Sequence, residues 1–199
     1  MPNQPETFDE QREIRLAQAG DESAFERIMT RYEAKVYRLA YSMLRHKQDA
    51  EDAMQETFIK LWRVLPSYRF ECSLLVYLMK IARTVVLDIE RRRQRVRQNE
   101  EPLTIKNDEG EWVDRDFRDD DVSSRPDLDV LRKERIAAVR EAIEELSDEH
   151  RQIILLKDIQ GLSYAEIEEI LGLGAGTVAS RLSRAREHLK KILKMRKIF

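Results

Sequence analysis

Cysteine is almost absent: Cys72 is the one cysteine in 199 residues. No disulfide can form within the chain, which fits a reducing compartment. Cys72 reads as a small apolar filler, with a redox thiol as the alternative. Glycine and proline are scarce, at six and five, and aromatics make up only 7%. That shortage favours helices over strands, and no strand signal or tandem repeat is found. Long hydrophobic runs are missing as well. Leu74 to Met79 is far too short to cross a bilayer. The opening MPNQPETFDEQRE is polar and acidic, unlike a signal peptide. A cytoplasmic location is expected. Charge of one sign is lacking too: the net charge is −2, so the overall balance says little about partners.

What is present is charge, at 37% of residues, and it is segregated. Arg91, Arg92, Arg93, Arg95 and Arg97 form one basic run. A second lies between Arg181 and Lys197. An acidic stretch from Glu100 to Asp129 separates them. Basic blocks in a near-neutral chain point to local contacts with polyanions.

Apolar residues recur at helical spacing on both sides of the acidic stretch. One stripe runs from Phe25 to Met43, preceded by Asp21 as a cap. A second runs from Ala50 to Leu65 and stops at Pro66. A third runs from Leu74 to Ile89 and continues into the arginines. Three or four such helices can share one core. Residues 99–129 break the pattern with Pro102, Gly110 and Pro126, and read as a linker whose largest apolar residue is Trp112. Periodicity returns with Ile136, Val139, Ala142, Ile143 and Leu146. Ser147 is placed to cap the next helix, which carries Ile153, Ile154, Leu156 and Ile159 and ends at Gly161. The expected fold is therefore all-α: two small helical domains, 1–98 and 130–199, joined by an acidic linker.

Ser163 and Glu166 fit a capping box, in which serine bonds forward and glutamate bonds back. The short helix they open ends near Gly172. A turn through Gly176 leads into a long helix with Val178, Leu182, Ala185, Leu189 and Ile192 inward. This arrangement is a helix-turn-helix. Thr177, Ser180, Arg181, Ser183, Arg184 and His188 fall on the outer side, as a major-groove helix requires, and lysines such as Lys190 suit phosphates. Periodicity alone is equally consistent with a helical hairpin whose charged face is solvated.

In the N-terminal half, Asp49, Asp52 and Glu56 share one face of an amphipathic helix with Gln55 beside them. Such a face can grip a basic partner or lie solvated. A metal site is discounted, because His46, His150 and His188 are scattered away from these acids. Tyr68, Phe70 and Tyr77 surround a short loop. Lys80, Arg83, Thr84, Asp88 and Arg91 then line the helix face opposite the apolar stripe, next to Arg92.

LSDEHRQIILLKDIQGLSYAEIEEILGLGAGTVASRLSRAREHLKKIL, from Leu146 to Leu193, resembles domain 4 of the extracytoplasmic-function sigma factors. DAEDAMQETFIKLW, from Asp49 to Trp62, and IARTVVLDIERRRQR after it resemble domain 2 of the same family. The resemblance implies that Ser180, Ser183 and Arg184 face bases of a promoter −35 element. Thr177, Arg181 and Arg186 would serve phosphates or local packing. It implies that Asp49, Asp52, Gln55 and Glu56 bind the clamp of core RNA polymerase. The aromatics and the following helix would capture an unpaired −10 strand of promoter DNA. An exposed ring offers each extruded base about 1–3 kcal/mol of stacking, comparable to opening a base step, so binding drives melting. At least one of the three aromatics is expected in the core. The resemblance further implies an anti-sigma factor as regulator, with no cofactor and no bond chemistry.

Four positions depart from the family pattern. Glu168 stands where a small residue is common, so it must reach out to solvent or bond the amides of the next helix. Ala179 replaces a frequent cation. Tyr77 stands for tryptophan and Thr84 for asparagine, changes that bear on the −10 sequence preferred. The acidic linker, with Asp119, Asp120 and Asp121, is read either as a nucleic-acid mimic for a basic channel or as a solvated tether.

Three other readings compete. A stand-alone helix-turn-helix regulator leaves the Asp49–Trp62 match idle. An enzyme acting on nucleic acid lacks a visible nucleophile, P-loop or acid pair. A mimic that sequesters an anti-sigma factor would not need basic residues in both halves.

Overall fold

The structure, a computed structural model, describes residues 8–99, 126–174 and 176–196. Trp112 and the Asp119, Asp120, Asp121 cluster lie outside these residues. The chain forms two compact units: Met1–Ala40 with Gln48–Leu103, and Tyr41–Lys47 with Thr104–Phe199. Among the described residues every regular element is helical, in line with an all-α chain.

The first unit contains α1 (Glu10–Gln18), most of α2 (Glu22–Leu44), α3 (Lys47–Val64) and α4 (Leu74–Asn99). The periodic stripes become its core. Ile28, Val36, Leu39, Ala53, Leu61, Leu74, Leu78 and Val85 are fully buried, each large aliphatic side chain contributing about 1.5–3 kcal/mol. Phe25 of α2 packs edge-on against Phe58 and tilted against Trp62, both on α3, with ring centres 6.5 and 4.8 Å away. Asp21 caps α2 by accepting the Ala24 N–H at 3.0 Å. Helix α1 is separate from α2 because Gly20, at φ +94°, turns the chain between them. Its Glu13 is buried and paired with Arg27 of α2 at 2.8 Å. Pro66 lies in a 3-10 turn, Leu65–Ser67, that closes α3.

The second unit contains α5 (Pro126–Glu144), α6 (Asp148–Ile154), α7 (Tyr164–Leu171) and α8 (Thr177–Met195). Helix α5 begins inside the stretch that reads as linker, with Pro126 as its first residue, where a missing N–H costs nothing. Two members of the expected stripes are exposed. Ile136 is exposed, lying on α5 ahead of the buried Ala142 and Ile143. Ile159 is exposed because α6 widens into a π-turn over Leu155–Ile159, which shifts the 3.6-residue phase. Ser147 occupies the N-cap of α6, but its side chain makes no capping hydrogen bond. Asp148 and Glu149 instead place negative charge in that first turn. Arg151, buried on α6, donates to the carbonyls of Ile143, Glu144 and Leu146. Those are the orphan acceptors at the end of α5. Burial lowers the Arg151 pKa.

Candidate nucleic-acid interface

The expected capping box is formed: Ser163 Oγ accepts the Glu166 N–H, and Glu166 accepts the Ser163 N–H at 2.7 Å. The helix ends at Gly172, which is left-handed at φ 65° and bonds back to the Glu168 carbonyl. Gly176, at φ 79°, starts α8. Val178, Leu182 and Ala185 are buried beneath α8, which packs on α5, α6 and α7. Ser180, Ser183, Arg184, Arg186 and Lys190 are consequently exposed, while Thr177 and Arg181 are half-buried. Helical phase therefore gathers the expected −35 residues on one side of α8.

They are not equivalent. Arg184 has no ion-pair partner among the described residues and is open to a ligand. Arg181 is paired with Glu149 of α6 at 3.4 Å. Arg186 is held in a two-pronged fork by Asp158 of the π-turn, and that carboxylate raises its pKa. Arg181 and Arg186 are thus both positioned by carboxylates of α6 and its extension. Ser180 Oγ donates to the Thr177 carbonyl at 3.0 Å, which orients its lone pairs. His188 meets His150 of α6 edge-on, ring centres 4.8 Å apart. Burial first, and His188 second, lower the His150 pKa.

In the first unit, the α3–α4 loop carries Tyr68 and Phe70, and the first turn of α4 carries Tyr77. Tyr68 is buried, and its hydroxyl donates to the Cys72 carbonyl at 2.5 Å. Burial pushes its phenol up to about 12. Tyr68 is the aromatic that belongs to the core. Its ring lies 4.8 Å from Phe70 and 5.1 Å from Tyr77, so it forms the floor for two outer rings. Phe70 is exposed, in a left-handed conformation at φ 61° that a bulky side chain rarely adopts. Gln18 of α1, which composition and motif matching passed over, donates to the carbonyls of Leu65 and Tyr68 at 3.0 and 2.9 Å. It anchors the loop from below, and no local signal could have found a contact nearly fifty positions away.

Beyond the loop, α4 presents Lys80, Arg83, Thr84, Asp88, Arg91 and Arg92 with graded exposure. Thr84, Arg91 and Arg92 are exposed, and the other three are half-buried. Thr84 Oγ1 donates back to the Lys80 carbonyl at 3.0 Å. Asp88 pairs with Arg91 at 3.3 Å and lies 4.0 Å from Lys60 of α3. Its carboxylate thus sits between cations of α3 and α4.

The acidic face of α3 is split. Asp49 pairs with Arg93 of α4, and Glu56 with Lys60 at 3.0 Å. Asp52 and Gln55 remain exposed, with Gln48 donating to Asp52 at 3.1 Å. Ile59 continues the same face at 53% exposure, an apolar residue in a charged row that the acidic pattern hid. Among the described residues no three His, Cys, Asp or Glu side chains gather as a metal site. No described helix is long and apolar enough to cross a membrane.

The comparisons with known proteins agree with this layout. The family described as Sigma-70 region 2 matches residues 28–96, and Sigma-70, region 4 matches residues 136–189. The RNA polymerase sigma-H factor of Pseudomonas aeruginosa is 30% identical, over 92% of this chain and 93% of its own length. The ECF RNA polymerase sigma factor SigW of Bacillus subtilis is 33% identical, over 91% of this chain and 95% of its own. A co-crystal structure of the sigma factor RpoE with the anti-sigma factor NepR, from Bartonella quintana, superposes with a TM-score of 0.65 at 25% identity. It covers 85% of this chain and 96% of that one. The chain belongs to the extracytoplasmic-function sigma factors of the sigma-70 family, which give RNA polymerase its choice of promoters.

Proposed function

We propose a division of labour within this sigma factor. Helix α8 docks on the −35 duplex and reads it through Ser180, Ser183 and Arg184, with Thr177, Arg181, Arg186 and Lys190 on the phosphates. The observation that carries this is the exposed polar face of α8 over buried Val178, Leu182 and Ala185, introduced by a capped helix and a glycine turn. The loop bearing Phe70, with Tyr77 beside it, captures the opened −10 strand, and Tyr68 supports those rings from the core. Lys80, Arg83, Thr84, Arg91 and Arg92 line the strand's path, and Asp88 orders the cations. Asp52, Gln55, Glu56 and Ile59 meet the polymerase clamp, with Asp49 at the edge of that contact.

The factor works in the cytoplasm as a positioning device and performs no bond chemistry of its own. The NepR partner of RpoE supports an anti-sigma factor as a partner of this chain. A stand-alone helix-turn-helix regulator would leave residues 28–96 without a task. Run-off transcription tests the reading. Purified core polymerase is given a library of promoter fragments with and without the protein. The expected result is initiation at a subset sharing −35 and −10 sequences. Phe70→Ala should lose opening and Arg184→Ala should lose the −35 preference. Silent core polymerase, with the protein alone shifting duplex DNA, would favour the regulator.

A further inference from the structure

The N-cap amide of the recognition helix already has an anionic acceptor. Glu168 of α7 is half-buried, and its Oε1 accepts the N–H of Gly176 at 2.9 Å. Gly176 is the N-cap of α8 and, being glycine, offers no capping side chain. A helix N-terminus concentrates unpaired N–H donors and partial positive charge. In DNA-binding proteins such ends are ordinary ligands for backbone phosphates. Here the Glu168 carboxylate takes the acceptor position that a phosphate oxygen would use. The next donor is engaged too, since the Thr177 N–H bonds the Gly174 carbonyl at 3.1 Å. The turn from Gly176 to Ser180 contains no basic residue. Ala179 is exposed and neutral, and the first basic residue along the helix, Arg181, is paired with Glu149. Positive charge is concentrated further on, from Arg184 to Lys194.

We infer that Glu168 is a built-in brake on phosphate-backbone binding by the recognition helix. It keeps the free protein's hold on duplex DNA weak, so that lasting engagement waits until polymerase presents the promoter. This rests on the reading of α8 as the −35 helix. Glu168 combines two roles that substitution separates. As an acceptor it braces the turn, and as a charge it opposes an approaching phosphate. Glu168→Gln keeps an acceptor oxygen and removes the charge. Glu168→Ala removes both.

The test uses the full-length protein and fluorescence anisotropy. The probes are a labelled duplex carrying the upstream element mapped by run-off transcription and a scrambled duplex of equal length, each titrated across a salt series. Glu168→Gln should bind both duplexes about two- to fivefold more tightly at low salt. The slope of log affinity against log salt should steepen by up to about one phosphate contact. Glu168→Ala should show the same gain, reduced where the turn loosens. Wild-type affinity and slope for Glu168→Gln on both duplexes would overturn the inference and leave Glu168 as a brace only. Arg184→Ala, run alongside, separates the two levels. If it loses the preference for the mapped element, the reading of α8 stands and the Glu168 result judges the brake alone. If it binds both duplexes as the wild type does, the reading of α8 falls and the brake with it.

Discussion

Asp49 on α3 is ion-paired with Arg93 on α4, so one member of the acidic face is tied to a neighbouring helix. The two remaining exposed members, Asp52 and Gln55, have no such duty. Asp49→Asn should lower the unfolding free energy by ~0.5–1 kcal/mol, since it breaks a partly buried interhelical pair. Asp52→Asn and Gln55→Ala should stay within about 0.5 kcal/mol of wild type and still weaken the complex with core polymerase. Thermal melts and polymerase pull-down on the same three variants read both effects. Equal destabilisation in all three would assign the whole face to stability.

The aromatic loop should separate in the same manner. Tyr68→Phe removes the hydroxyl bonded to the Cys72 carbonyl, at a cost of about 1 kcal/mol. Because burial raises the Tyr68 phenol to about 12, its contribution is complete below the unfolded pKa of about 10. It is lost as pH rises towards the folded value, so wild-type stability should fall at alkaline pH and Tyr68→Phe should flatten that fall. Phe70→Ala should leave the melting temperature near wild type, since the ring is exposed, yet abolish open-complex formation monitored by permanganate reactivity of unpaired thymines.

Acid should weaken the second unit through His150. Burial and His188 depress its pKa, aided by Arg181 and Arg184, while Glu149 opposes them. A depressed histidine binds fewer protons folded than unfolded, so stability is complete above about pH 6.5 and declines as pH falls through the folded pKa. Melts from pH 7.5 to 5 should show this decline. His150→Gln should remove part of it, and imidazole resonances should titrate at lower pH for His150 than in an unfolded peptide.

The capping box offers the simplest local test. Ser163→Ala deletes the acceptor for the Glu166 N–H and should cost about 1 kcal/mol. Amide exchange should accelerate first in α7. Unchanged protection there would mean that packing alone holds the helix.

Much of this protein was legible in its residue order. The all-α class followed from periodicity and from the shortage of glycine, proline and aromatics. The caps at Asp21 and Ser163 and the turn at Gly172–Gly176 followed from chemistry that acts over three or four residues. Helical phase placed Ser180, Ser183 and Arg184 outward, because 3.6 residues per turn is a property of the backbone itself. The alternatives left open for Glu168 narrowed to the amide bond for the same local reason, since α7 and α8 are joined by a short turn. What periodicity could not decide were the phase shift at the π-turn, which exposes Ile159, and the lack of a packing partner over Ile136 of α5, which leaves it exposed.

Tertiary structure decided which like-looking residues do unlike things. Asp49 and Asp52 are three residues apart on one face, but only Asp49 has Arg93 across from it. Tyr68 and Phe70 are two apart, but one is sealed in the core and the other projects from a left-handed backbone. Arg186 is forked onto Asp158 while Arg184 stays open. These distinctions depend on partners brought close only when helices pack, and residue order alone carries no measure of that distance. Periodicity assigns a side chain to a face, and packing assigns it a neighbour.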